Sequence, residues 1–127
     1  MIYKVKHFGV HEFVCPCCGV VYVAKSLVFW LDVIRRAVGI PLVVSSGYRC
    51  TRRNDQVGGA ISSRHMIGCA ADILKPKSMA YEDFVKMCER FKGDDFELVK
   101  YATKTYLHFG VPRIDGFDLW YGGEMTV

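Results

Sequence analysis

Ser63-Arg64-His65-Met66-Ile67-Gly68-Cys69-Ala70-Ala71-Asp72, answered by Tyr106-Leu107-His108-Phe109, constrains the fold of this chain more than any other part of it. If its two imidazoles and one carboxylate meet, the backbone joining them has little freedom. His65 and Asp72 are seven residues apart. A straight helix would hold them about 10.5 Å apart and a strand about 23 Å. Two ligands of one zinc ion place their donor atoms about 2 Å from it, so neither regular element serves. The chain must turn between them, and Gly68 allows this because glycine adopts left-handed backbone conformations cheaply. The expected arrangement puts His65 on a loop, a turn at Gly68, and Asp72 on the strand that follows. Two His and one Asp are also the donor set of a zinc site that keeps one position open, in contrast to closed thiolate sites.

The surrounding sequence supplies the scaffold. A chain of 127 residues, 51% apolar and 24% charged, is expected to form one domain over residues 1–127 with its own core. No apolar run reaches transmembrane length, and the start of the chain, Met1-Ile2-Tyr3-Lys4-Val5-Lys6-His7, lacks the apolar stretch of a secretion signal. Leu27, Trp30, Leu31, Ile34 and Val38 recur at helical spacing, with Ser26 placed to cap and Gly39 and Pro41 to stop the helix. Val20 to Val23 is β-prone, and Leu42-Val43-Val44 reads as a short buried strand. Residues 47–64 read as a long ordered loop, of the kind that usually carries function. Ala70 to Leu74 reads as a second buried strand, and Tyr81, Phe84, Val85 and Cys88 as the inner face of a helix capped by Ser78.

Two further strands are expected, Phe96 to Tyr101 and Thr105 to Val111. In the latter, Leu107, Phe109 and Val111 share one face and Tyr106, His108 and Gly110 the other. Asp115-Gly116 is a turn signal for a last hairpin through Phe117 to Tyr121. Helices and strands do not alternate strictly, which predicts an α+β fold with a largely antiparallel sheet flanked by helices.

Charge and cysteine usage narrow the chemistry. The net charge is +4, and Arg49, Arg52, Arg53 and Arg64 crowd the segment before His65, facing only Asp55. Such a field attracts an anionic substrate, or else belongs to a solvated loop. No aromatic-interleaved basic stripe accompanies it, so no nucleic-acid partner is expected. The six cysteines are not read as a disulfide framework, since the chain is long enough to fold without one. Cys15 and Cys18 have the spacing of half a zinc knuckle. The other cysteines are single and distant, with His7 and His11 the nearest alternative ligands. The preferred reading is an N-terminal loop packed on the core.

Ser46-Gly47-Tyr48-Arg49, Asn54, Val57-Gly58-Gly59-Ala60, the Ser63 to Asp72 motif and Tyr106-Leu107-His108 together resemble the zinc D-alanyl-D-alanine carboxypeptidase family, peptidase M15. Within it, the segment His11-Glu12-Phe13 through Cys15, Cys17, Cys18 and Gly19 looks like the opening of the small phage-type members of its subfamily A. The resemblance covers about residues 7–111. It implies a Hedgehog/DD-peptidase-like fold and one catalytic-type Zn2+ held by His65, Asp72 and His108; the chain is expected to be a monomer. It further implies that Arg49 meets substrate carbonyl or carboxylate charge. Ser63 is implied to contact substrate, its alternative being a turn-stabilising hydroxyl.

The implied activity is zinc-dependent hydrolysis of peptidoglycan stem peptides, of carboxypeptidase or endolysin type. A phage enzyme would reach the wall through a holin or on the virion. One departure stands out. The acid that many members carry three residues before the last His is replaced by Thr105, and the alternative acidic position by Gly110. The catalytic base is thus unassigned, with Glu97, Asp94 and Asp115 the nearby acids. A non-catalytic zinc-containing peptidoglycan-binding or virion-associated module is the rival expectation.

Overall fold

A computed structural model describes residues 1–114 and 118–126. Four strands form its main sheet: β2 (Val44–Ser46), β3 (Ala70–Leu74), β4 (Glu97–Lys100) and β5 (Tyr106–Gly110). Their order is β2-β3-β5-β4, and every pairing is antiparallel. A separate two-stranded sheet joins β1 (Ile2–Lys4) to β6 (Glu124–Thr126). The helices are α1 (Lys25–Val38), α2 (Thr51–Gln56) and α3 (Tyr81–Glu89). The α+β arrangement expected from the order of elements is therefore the one observed.

Alternation along β5 divides the sheet into a core face and an open face. Leu107, Phe109 and Val111 are fully buried, packed with Leu27, Leu31, Ile34 and Phe84 from α1 and α3. His108, one step out of phase, faces the other way. The register then matters: Asp72 on β3 lies directly opposite His108 on β5. Cross-strand neighbours on one face have Cβ atoms roughly 5 Å apart, so the pairing delivers both side chains to one place.

Several expectations need correction. The 47–64 stretch is not all loop, since it contains α2, and a 3-10 turn follows at Arg64–Ile67. Neither Ser26 nor Ser78 caps a helix; the cap positions are Ala24 and Ala80. Ser26 lies inside α1, its hydroxyl buried without a hydrogen bond among the described residues. The expected strand at 42–44 begins only at Val44, and Val20 to Val23 forms no strand. Asp115, Gly116 and Phe117, and with them the expected turn, lie outside the described residues. Beyond them, Leu119 bridges to Ala24, and β6 pairs with β1.

A buried charge ties α1 to the N-terminal strand. Asp32 has no exposed surface, and accepts from Tyr3 Oη at 2.6 Å, from the His7 N–H at 3.1 Å and from Arg36 Nη2 at 3.0 Å. Burial first, and the Asp32 charge second, push the Tyr3 phenol up to about 12. That contribution to stability is intact below the ordinary phenol pKa of about 10 and is lost as pH climbs through about 12. Asp32→Ala strands two buried donors and releases Arg36. It is expected to cost about 3 kcal/mol, read as a lower urea midpoint at neutral pH. An unchanged midpoint would show that the triple contact contributes nothing.

Candidate metal centre

His65 arrives from the 3-10 turn Arg64–Ile67. Ser63 caps that turn, its hydroxyl accepting from the His65 N–H at 3.2 Å. Gly68 ends the turn with φ 74°, as the spacing required. A Cβ there would lie 2.5 Å from the Tyr22 carbonyl oxygen, so close packing and backbone conformation both select glycine. The chain then enters β3 and reaches Asp72.

The three side chains converge. His65 Nε2 lies 3.2 Å from His108 Nδ1 and 3.3 Å from Asp72 Oδ1, and His108 Nδ1 lies 3.4 Å from Asp72 Oδ1. All three residues are buried. Asp72 Oδ1, although between two imidazoles, makes no hydrogen bond of acceptable geometry. Burial alone would raise the Asp72 carboxyl, but His108 and His65 outweigh it and hold it well below the usual carboxylate range. Burial likewise would lower the His108 imidazole, and Asp72 and Glu97 together raise it.

Each ligand candidate is gripped from behind. The Gly47 carbonyl, 2.8 Å from His65 Nδ1, can only accept, so Nδ1 carries the proton and Nε2 turns its lone pair inward. Glu97 Oε1 accepts from His108 Nε2 at 2.8 Å, leaving Nδ1 facing the centre. Arg49 Nη2 donates to Asp72 Oδ2 at 3.1 Å, which frees Oδ1. Three inward lone pairs around a buried orphan oxygen fit a cation. Their spacing fits zinc in particular: bonds of about 2.0–2.1 Å in a tetrahedron set neighbouring donor atoms about 3.3 Å apart. Outer hydrogen bonds of this type orient ligands and set the imidazole tautomer.

The centre floors a cleft of about 560 Å3, and Ser63, Arg53, Arg64, Tyr101 and Tyr106 contribute to its walls. Burial, and next the Asp72 charge, push the Tyr101 phenol up to about 12, so it stays a neutral donor at the cleft wall. Arg49, expected to face substrate, is committed in this structure to Asp72 and to Ser46 Oγ at 3.1 Å. Arg53 also lines the cleft and has no ion pair among the described residues.

Of the acids named from sequence, the structure brings in one. Glu97 on β4 pairs with Gly110 on β5, and its carboxylate bridges His108 and Arg64, whose Nε is 3.4 Å away. A Cβ at Gly110 would lie 2.8 Å from Glu97 Oε1. The glycine thus vacates the volume that the glutamate of the next strand fills. Asp94 is exposed outside the cleft, Asp115 lies outside the described residues, and Thr105 faces Thr103 at 3.1 Å rather than the centre.

An antiparallel sheet presenting a His-Asp-His cluster at the base of a cleft has the build of a metal-dependent hydrolase. The chain belongs to the peptidase M15 family, whose profile matches residues 6–110. A zinc D-Ala-D-Ala carboxypeptidase of Streptomyces albus G is 48% identical over 53 residues, covering 39% of this chain. The match spans 21% of that protein's length.

Proposed function

We propose that residues 1–127 form one zinc metallopeptidase unit that hydrolyses the stem peptides of bacterial peptidoglycan, with His65, Asp72 and His108 as ligands. The observation that carries this reading is the trio of donor atoms at 3.2, 3.3 and 3.4 Å, each oriented by a second hydrogen bond. A zinc ion there would polarise the scissile carbonyl and make a water acidic enough to attack it near neutral pH. Support for the substrate class comes from the family and from the relative, a D-Ala-D-Ala carboxypeptidase.

The residues divide the remaining work. His65 and His108 hold their inward nitrogens unprotonated by donating outward to Gly47 and Glu97. With Asp72 engaged as a ligand, Glu97 is the remaining acid of the cleft among the described residues. To serve as base its carboxylate swings from His108 Nε2 toward the cleft, takes the proton of the attacking water and returns it to the leaving amine. Arg49 steadies Asp72 and adds positive charge where the carbonyl oxygen becomes negative. Arg53 receives the free carboxylate of a C-terminal D-alanine, and Ser63 holds the His65 turn at the cleft edge.

Incubation of the zinc-loaded protein with a Lys-D-Ala-D-Ala peptide should release D-alanine, and a chelator should stop the release. Binding of such peptides with no metal-dependent cleavage at any enzyme concentration would instead identify a binding module. Arg53→Ala should raise KM about tenfold for peptides with a free C-terminal carboxylate, the loss of one charge-assisted contact worth ~1.5 kcal/mol. It should leave KM unchanged for their amides. An equal effect on both would remove Arg53 from this role.

A further inference from the structure

A second cluster of metal-ligating side chains lies apart from the His-Asp-His centre. Cys15, Cys18 and Cys50 place their sulfurs within 4.8 Å of one another, although 32 residues separate Cys18 from Cys50 in sequence. Cys17 belongs to the same turn but lies outside that group of three. All four are free thiols. The expectation that this segment lacks a partner for its Cys-x-x-Cys pair therefore needs correction. The missing half comes from the loop after Arg49, while His7 and His11 take no part in the cluster.

Backbone geometry prepares the place. The chain folds back between Cys15 and Val20, with the Cys15 N–H donating to Val20 O at 2.8 Å and the Gly19 N–H to Cys15 O at 2.9 Å. The Cys50 N–H donates to Cys15 Sγ at 3.4 Å, across the gap between the two segments. Such N–H groups stabilise sulfur in its anionic, metal-binding form. Gly47 lets the two segments touch: a Cβ there would lie 2.5 Å from Phe13 Cα, and the Tyr48 N–H donates to Phe13 O at 2.8 Å.

We propose that Cys15, Cys18 and Cys50 hold a structural zinc ion, distinct from the one at the cleft, with Cys17 of the same turn closing the fourth position. Four thiolates are the closed donor set of a structural site, and soft sulfur ligands favour zinc over magnesium or calcium. Bonds of about 2.3 Å put tetrahedral sulfurs about 3.8 Å apart, within reach of the observed cluster. The ion would staple the N-terminal turn to the segment that carries Arg49, next to Cys50, and starts α2, where Cys50 Sγ accepts from the Arg53 N–H at 3.5 Å. It would thereby brace two arginines of the cleft without touching substrate.

Cobalt substitution of the full chain under reducing conditions tests this. Thiolate-to-cobalt charge transfer absorbs in the near ultraviolet, whereas a His-Asp-His site contributes no such band. The band is expected in the unaltered protein and in His65→Ala. It should be lost in Cys50→Ser, together with about one metal equivalent per chain. Cys17→Ser, outside the group of three, should keep the band with about 10-fold or more weaker cobalt binding, because the three clustered thiolates remain. Absence of the band in the unaltered, reduced protein would overturn the proposal. So would a protein mass showing that two of these cysteines form a disulfide under the same conditions.

Discussion

His65→Ala is expected to reduce hydrolysis of a D-alanyl-D-alanine peptide by about a thousandfold or more. A Lewis acid at the scissile carbonyl is worth several kcal/mol in the transition state, and about 1.4 kcal/mol is a factor of ten in rate. His65 is buried, its ring fixed by Gly47 and by the turn that Ser63 caps. Removing it leaves two donors and a cavity, so metal loss and some destabilisation will come together. Chelated unaltered protein separates the two, since it keeps the ring and loses only the ion. Both samples should be equally inactive, and added zinc should revive only the unaltered chain. A variant that keeps its activity would exclude His65 as a ligand and with it the proposed centre.

Glu97→Gln is expected to lower kcat by about 10²- to 10⁴-fold, the range supplied by a positioned general base, while metal content stays the same. The amide oxygen can still accept from His108 Nε2, so the inward-facing nitrogen keeps its tautomer. What glutamine cannot do is take up a proton. Glu97→Ala removes the acceptor as well, and should weaken zinc binding by a further 10- to 100-fold, as loss of an outer partner of a metal-bound imidazole typically does (about one to two powers of ten). The two variants thus separate proton transfer from ligand orientation. Near-normal kcat in the glutamine variant would assign Glu97 to orientation alone.

The sequence carried the centre in a readable form because local rules determine most of it. Seven residues with a central glycine force the turn, and alternation along Tyr106 to Val111 sends His108 away from the core. The strand at Ala70–Leu74 and the face of α1 follow from periodicity in the same way. Helix α2 was not legible, because it is six residues of polar sequence whose one buried side chain is Asn54, and no apolar stripe marks it. Glu97 was visible as an acid but not as a cleft residue. Its place depends on the β4–β5 register, which pairs positions 97 and 110 and has no local signature. Cys50 escaped for the same reason: its proximity to Cys15 is created by the close contact of Gly47 with Phe13, not by spacing along the chain.

The space left open at Gly110 is filled by Glu97, so the carboxylate beside His108 arrives from the neighbouring strand. A side chain at position 110 and the glutamate at 97, on adjacent strands, would crowd each other. In this chain the charge sits on β4, and β5, the strand of His108, looks stripped of an acid. Motif strings that demand an acid at a fixed offset from the final histidine will discard such chains. A search written across strand register, asking what faces the residue two past that histidine, will keep them.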